Sequence, residues 1–283
     1  VNRPPVFVEL CAGLAAVSLR LQGGAYCRPP VSRMGNKAGY SRAILAVLGL
    51  RAGQGADRFV WCEPDAGCRA LLDAYTRPDV LREAAGIIRG WADEDPRELW
   101  ERLRALGPIG SADAAEVARW ARIVTGNRLT PDHHDGEQWT NPGHGGSTFG
   151  GAAFATPIDP LARAFEELAG SADATVERNA YNVAPIPGAV CFVDPPYQGT
   201  TGYGTELPRA DVLDLARRWD AAGATVCISE AEPLPLEGWH HVEITGCRVG
   251  QKRTFSRQQA EWLTLNRAAA WKPAEQLGLF GEG

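Results

Sequence analysis

Six short runs of apolar and β-branched residues recur along the chain: VFVEL (6–10), RFVWC (58–62), GAVCFV (188–193), GATVCIS (223–229), HHVEIT (240–245) and EWLTLN (261–266). Each is bounded by turn residues and is too short for a buried helix, so each reads as a strand. Between several of them lie segments whose apolar residues stand three or four apart, at 14–22, 40–50, 66–75, 159–169 and 209–223. Strands alternating with helices need crossover connections, which build a mainly parallel sheet covered by helices on both faces. The expected fold is therefore α/β, with ligands beyond the carboxyl ends of the strands.

The 283 residues are 45% hydrophobic, enough for one large domain or one domain carrying an insertion. No run of eighteen apolar residues occurs, and the start, VNRPPVFVEL, lacks the charged-then-apolar pattern of a secretory leader. The expectation is a soluble, cytoplasmic protein with no membrane partner. Seven cysteines (11, 27, 62, 68, 191, 227 and 247) are scattered singly and read as reduced core residues. His133, His134 and His144 lack the cysteines or spaced acids that would complete a zinc site, so no metal is expected.

The net charge of −5 is unevenly spread. Residues 1–58 hold eight Lys/Arg against two acids and residues 248–272 hold six against one, while 59–247 holds fifteen against twenty-nine. Two basic ends around an acidic middle can form one positive face, the electrostatic requirement for holding a phosphate backbone. A merely solvated surface satisfies the same counts. Residues 90–125 read as helices rich in Arg and Glu. Residues 125–157, crowded with Gly, Pro, Thr, Asn and His, have no period.

The strand 188–193 delivers Asp194-Pro195-Pro196-Tyr197 to the carboxyl edge of the sheet. An acid followed by prolines is compatible with a plain turn. It also has a chemical reading. The two prolines stiffen the backbone, so the Asp194 carboxylate and the Pro195 carbonyl form a paired acceptor suited to an exocyclic –NH₂. Two acceptors gripping that amine favour a more tetrahedral nitrogen and free its lone pair for an electrophile. Tyr197 offers a face on which a base can stack, and a base inside a duplex must be flipped out to reach it.

At these residues the chain resembles the Dam-like class of DNA adenine-N6 methyltransferases, which use S-adenosylmethionine. FVELCAGLAAVSL (7–19) is similar to the family's first motif, RMGNKAGYSRAIL (33–45) to its Gly-Gly-Lys cofactor segment and FVWCEPD (59–65) to its second-strand motif. ATVERNAYNVAP (174–185) and RTFSRQQAEWLTLN (253–266) resemble its adenine-contact and closing segments. The resemblance spans most of residues 6–266. It implies a Rossmann-like methyltransferase fold, mainly parallel with an antiparallel final strand. It further implies Asp194, Pro195, Pro196 and Tyr197 as catalytic residues, and Glu9, Cys11, Gly13, Asn36, Lys37, Glu63, Tyr181 and Asp194 around the cofactor. Glu63 is the implied acceptor for the ribose hydroxyls. The chain departs from the family in three places: Cys11 stands where an aromatic is usual, Ala15 replaces a glycine, and the Asn36-Lys37 segment follows the first motif instead of preceding it.

The same resemblance divides the chain into a catalytic domain (1–89 and 174–270), an insertion (90–173) for target recognition and a tail (271–283). Arg119, Arg122 and Arg128 from the insertion, with Lys252 and Arg253, are the expected contacts to double-stranded DNA. In the tail, Gln276, Leu277, Leu279 and Phe280 resemble the short peptide by which bacterial replication proteins engage the sliding clamp. The expected protein is a monomer, nucleoid-associated in a bacterial or phage-infected cell. Cytosine-N4 methylation, or a non-catalytic DNA- or clamp-binding role, stays open beside the adenine reading.

Overall fold

The computed structural model describes residues 3–24, 27–31, 36–126, 133–134, 139–140, 156–169, 173–197, 207–244 and 261–270. In chain order its strands are β1 (Val6–Leu10), β2 (Arg58–Cys62), β3 (His133–His134), β4 (Trp139–Thr140), β5 (Ala174–Glu177), β6 (Val190–Val193), β7 (Thr225–Glu230), β8 (His240–Ile244) and β9 (Glu261–Leu265). Its helices are α1 (Ala16–Gln22), α2 (Ser41–Val47), α3 (Ala66–Tyr75), α4 (Pro78–Gly90), α5 (Pro96–Ala105), α6 (Ala114–Gly126), α7 (Ile158–Leu168) and α8 (Arg209–Ala221).

Seven strands form one sheet in the order β5-β2-β1-β6-β7-β9-β8. The neighbours from β5 to β7 pair in parallel, while β9 is antiparallel to both β7 and β8. This is the expected Rossmann-like α/β sheet with an antiparallel final strand. The order reverses at β1: the chain first builds outward through β2 to β5, then returns to β6 on the other side. Open sheets bind ligands at the carboxyl edge beside such a reversal. β3 and β4 form a separate two-stranded ladder inside the stretch expected to have no regular structure.

Period-two alternation splits the strands between two cores. Phe7, Phe59, Trp61 and Phe192 face α1, α2, α3, α4, α6 and α7. Val6, Val8, Leu10, Val60, Cys191, Val193, Val226 and Ile228 face α8 through Val212, Leu215, Ala216 and Trp219. Both faces of the central strands are therefore apolar, as a covered parallel sheet requires. Val117, Trp120, Ala121 and Val124 of α6, with Leu161, Phe165 and Leu168 of α7, join the first core. Much of the segment expected as an insertion is thus packed into the body of the sheet. A bidentate pair from Arg89 to Glu166, at 2.5 and 2.7 Å, links α4 to α7 at the surface.

The approach of α6 to α3 depends on a glycine. Gly67 lies in the first turn of α3, and a Cβ there would stand 1.9 Å from Trp120 Nε1 and 2.3 Å from Cδ1. Trp120 is buried in the first core, so an added Cβ would have to displace a packed indole. Glycine costs a helix about 1 kcal/mol relative to alanine, so its presence here reflects packing. Gly67→Ala should destabilise the protein by about 1–3 kcal/mol through overpacking. Urea unfolding at neutral pH checks this as a lowered midpoint with an unchanged slope.

Candidate functional site

Residues paired across a sheet share a face, so the register decides which polar side chains meet at the carboxyl edge. Glu9 is opposite Phe192, Phe192 opposite Cys227, and Cys227 opposite Leu265. This row lies on the first-core face. Two residues further toward the edge, the same face carries Asp194 after β6 and Ser229 on β7. β9 runs the other way, with Leu263 opposite Ser229. Its first residue, Glu261, therefore extends past the same edge and onto the same face. Glu63, two residues after Trp61 and just beyond β2, continues the row on the other side of β1.

The strand ends are tied to one another by their backbones. Asp194 N–H donates to the Leu10 carbonyl (3.1 Å), Ala12 N–H to that of Cys62 (2.8 Å) and Glu63 N–H to that of Glu177 (3.0 Å). The turn after β1 is unusual. Cys11, Gly13 and Ala15, three alternate residues, have φ values of 59°, 54° and 52°. The left-handed region costs about 1–2 kcal/mol per non-glycine residue, so Cys11 and Ala15 are held there by their surroundings. One support is Glu63, which accepts from Gly13 N–H at 2.7 Å and from Asp65 N–H at 3.0 Å. A Cβ on Gly13 would meet nothing within 4 Å, so the space above this turn is open. Asp65, at the start of α3, is a helix cap that accepts from Cys68 N–H at 2.8 Å.

Glu9 is 3% exposed and accepts from Ser18 N–H, while the Ser18 hydroxyl accepts from Trp61 Nε1 at 2.9 Å. Desolvation pushes the Glu9 carboxyl up to about 8, the Ser18 bonds oppose this, and the charge of Asp194 adds to it. Cys11 is pushed well up, by desolvation first and then by the charge of Glu63. Its thiol is therefore un-ionised at neutral pH.

The centre of the site is Lys37. The side chain of Asn36 accepts from Ala38 N–H (2.9 Å), capping the 3₁₀ turn Lys37–Gly39. This turn carries Lys37 over the sheet edge, where only 4% of its side chain is exposed. Its ammonium lies 2.7 Å from Asp194 Oδ1, 3.5 Å from Glu261 Oε1 and 4.7 Å from the centre of the Tyr197 ring. Tyr197 donates its hydroxyl hydrogen to Glu261 Oε1 and lies 2.9 Å from Ser229 Oγ, which also donates to Glu261. Desolvation raises Asp194 to about 7; Lys37 opposes the rise, and Glu261 and Glu230 reinforce it. Desolvation pulls Lys37 down, but Asp194, Tyr197 and Glu261 outweigh it and hold the ammonium charged. Burial likewise raises Glu230.

The structure thus brings Glu9, Cys11, Gly13, Glu63, Lys37, Asp194 and Tyr197 to one sheet edge. It gives Lys37 an ion pair with Asp194, whereas a cofactor contact was expected. Ser229, Glu230 and Glu261 escaped the sequence reading. Their signal was polar residues ending one apolar strand and opening its antiparallel neighbour.

Other expected residues lie elsewhere. Tyr181 turns to α8, with its hydroxyl donating to the Asp211 carbonyl (3.1 Å) and Arg218 stacked over its ring at 5.1 Å. Arg119 and Arg122, expected at DNA, are each 3% exposed. Arg119 donates to the carbonyls of Leu103, Gly107 and Pro108 and to both oxygens of Glu116. Arg122 donates to the Thr156 carbonyl at 2.8 Å, and burial lowers it to about 10. Both guanidiniums fasten loops to α6 and are withheld from phosphate. Arg128, Lys252, Arg253 and the clamp-like Gln276, Leu277, Leu279 and Phe280 lie outside the described residues.

Folded Glu9 keeps its proton to about pH 8, against an ordinary value of 4.5. Between those values the folded state binds more protons than the unfolded chain, so stability falls as pH rises through this window. Replacing Glu9 with Gln removes that contribution. Between about pH 5 and pH 8 the unaltered protein should lose on the order of 1–4 kcal/mol more stability than Glu9→Gln, measured by urea unfolding at both pH values.

No protein-family model matches the chain, and no curated protein matches it. Among solved structures it aligns with the rRNA methyltransferase aviRa from Streptomyces viridochromogenes, over 95% of this chain and 79% of that one. The identity is 12% and the TM-score 0.35, values too low to bear on what this chain acts upon.

Proposed function

We propose that the chain is an S-adenosylmethionine-dependent methyltransferase acting on the exocyclic amine of a nucleic-acid base, and that the target is adenine N6 in DNA. One observation carries the reading. Asp194, on its rigid proline turn, stands at the sheet's reversal point beside the buried Glu9 and the open left-handed turn at Gly13.

The residues present fit this cofactor. Among the described residues no cation is ion-paired with Glu9, so a ligand bearing positive charge would satisfy a carboxylate that burial otherwise keeps protonated. Glu63 accepts from the backbone N–H groups of Gly13 and Asp65 beside the open turn, and is the proposed acceptor for the ribose hydroxyls. The open space over Gly13 admits a ligand close to the backbone. When bound, S-adenosylmethionine supplies a sulfonium methyl whose C–S bond breaks, the electron pair leaving on sulfur, as the new N–C bond forms.

The chain's own groups do the rest. Asp194 and the Pro195 carbonyl accept the two amine hydrogens and direct the nitrogen lone pair outward. Lys37 opposes the rise that burial imposes on Asp194, so that a share of it is ionised at neutral pH. As the nitrogen becomes positive, Asp194 stabilises it and takes the departing proton on its way to solvent. Tyr197, anchored through its hydroxyl, presents a ring edge and face against which the flipped base is set. With Arg119 and Arg122 committed to the fold, Arg128, Lys252 and Arg253 carry the proposed phosphate contacts.

The test has two arms. Calorimetry with S-adenosylmethionine at pH 7, in buffers of different ionisation enthalpy, should show release of about one proton as Glu9 ionises, and none in Glu9→Gln. Nucleoside mass spectrometry of DNA incubated with protein and cofactor should show N6-methyladenine. Asp194→Ala should lower turnover by at least about 10²-fold while still binding the cofactor. N4-methylcytosine in place of N6-methyladenine would reassign the base, and absence of saturable cofactor binding would remove the reading.

A further inference from the structure

We propose that Glu261 is a positioning residue for methyl transfer: from the antiparallel strand β9 it anchors the Tyr197 hydroxyl and shares Lys37 with Asp194, so that Asp194 remains a strong acceptor for the incoming amine. The catalytic half of this statement rests on the methyltransferase reading above.

Three donors converge on one oxygen of Glu261. Tyr197 and Ser229 donate to Oε1, and Lys37 Nζ stands 3.5 Å from it. Glu261 is itself 2% exposed, so its charge is held in place by these partners with little solvent to screen it. A phenol fixed at its hydroxyl cannot withdraw from the sheet edge, and the Lys37 ammonium packs over its ring, 4.7 Å from the centre. A base placed against Tyr197 therefore meets a surface already oriented, and little ordering cost falls on the binding step.

The electrostatic part follows from the position of Lys37. A carboxylate neutralised by a cation of its own is a poor acceptor, because the ammonium occupies its lone pairs and lowers its basicity. Here the ammonium lies between two carboxylates, 2.7 Å from Asp194 and 3.5 Å from Glu261. Glu261 draws the cation toward itself, and its own charge opposes loss of the Asp194 proton. When an amine takes Asp194, Glu261 also leaves Lys37 a carboxylate within the same buried space. The other groups facing Asp194 are Glu230 from β7, Glu9 and Cys11 from β1 and its turn, and Tyr197 from its own loop. Glu230 acts in the same sense as Glu261, whereas Glu9 is protonated where Asp194 titrates, so removing Glu261 weakens the effect without abolishing it.

The decisive variant is Glu261→Gln, which keeps an acceptor for Tyr197 and Ser229 but removes the charge. With carboxyl-¹³C aspartate and Asp194→Asn to assign the signal, Asp194 should titrate near pH 7 in the unaltered protein and roughly half to one unit lower in Glu261→Gln. Glu261→Asp retains the charge and should leave the titration near its original value. The acidic limb of kcat for DNA methylation should follow Asp194 downward in Glu261→Gln, while the plateau falls several-fold as the acceptor weakens. A purely structural loss would lower the plateau and leave the limb in place. A titration unmoved or moved upward in folded Glu261→Gln would overturn the role of Glu261, even in a protein that methylates DNA. If Asp194 shifts as stated but the unaltered protein binds no cofactor and methylates nothing, the link to methyl transfer is overturned.

Discussion

One buried ammonium holds the candidate site together. Lys37 lies among Asp194, Glu230 and Glu261, with Glu9 and Glu63 close by on the neighbouring strand ends. Glu9 escapes the cost by keeping its proton, but moving each of the ionised groups out of water costs several kcal/mol after relaxation, and an ion pair at 4 Å in surroundings of effective dielectric about 20 recovers only about 4 kcal/mol. Such a cluster is poor value as a stabilising device. Well-packed apolar residues would hold the same strand ends at lower free-energy cost. The unfavourable electrostatics make sense where charge has to be ready for a ligand, and perturbed groups gathered at a ligand-binding edge mark that kind of place.

The fold delivers these groups by simple parity. A parallel sheet presents strand ends on one edge, and residues of matching register share one face, which is how Glu9, Asp194 and Ser229 come to be neighbours from three separate stretches of chain. β9 adds a fourth source because it runs in reverse. Its N-terminal residue arrives at the edge where its neighbours end, so Glu261 needs no loop to reach the site. The second core, built around α8, fixes the height of β6 and β7 relative to β1, on which the contact between Asp194 and Lys37 depends.

Much of this was legible in the sequence because it rests on local pattern. The six expected strands and the five helical segments all occur within a few residues of their expected bounds, and Asp194 stands where the strand before it points. The elements that escaped have identifiable reasons. β5 is a four-residue edge strand with half of its side chains exposed, too short and too polar for its alternation to show. α4 has apolar residues at helical spacing, Val80, Leu81, Ala84, Ala85 and Ile88, but Pro78, Gly86 and Gly90 masked the pattern. Arg119 and Arg122 misled because an arginine on a helix reads as a solvated or phosphate-binding group. Nothing local says that carbonyls from Leu103 to Pro108 will close over it. The turn after β1 was half hidden for a related reason: of its three left-handed residues only Gly13 carries the signature of that conformation.

That turn bears on how the site is tuned. Glycine at Cys11 and Ala15 would relieve backbone strain of about 1–2 kcal/mol at each position. It would also give the unfolded chain more freedom, offsetting part of that gain. A turn of three glycines would hold its shape mainly when a ligand ordered it. Here the Ala15 side chain, fully buried in the first core, helps hold the same shape beforehand. Glu63 fixes it from the neighbouring strand through Gly13 N–H. The ordering cost is thus met in folding rather than in binding, which is the logic of preorganisation. Tyr197 is likewise held in place, through its hydroxyl. Strain in the turn, unfavourable charge around Lys37 and a fixed tyrosine are three forms of one arrangement, in which the free energy of folding is drawn upon to keep a site in its working shape.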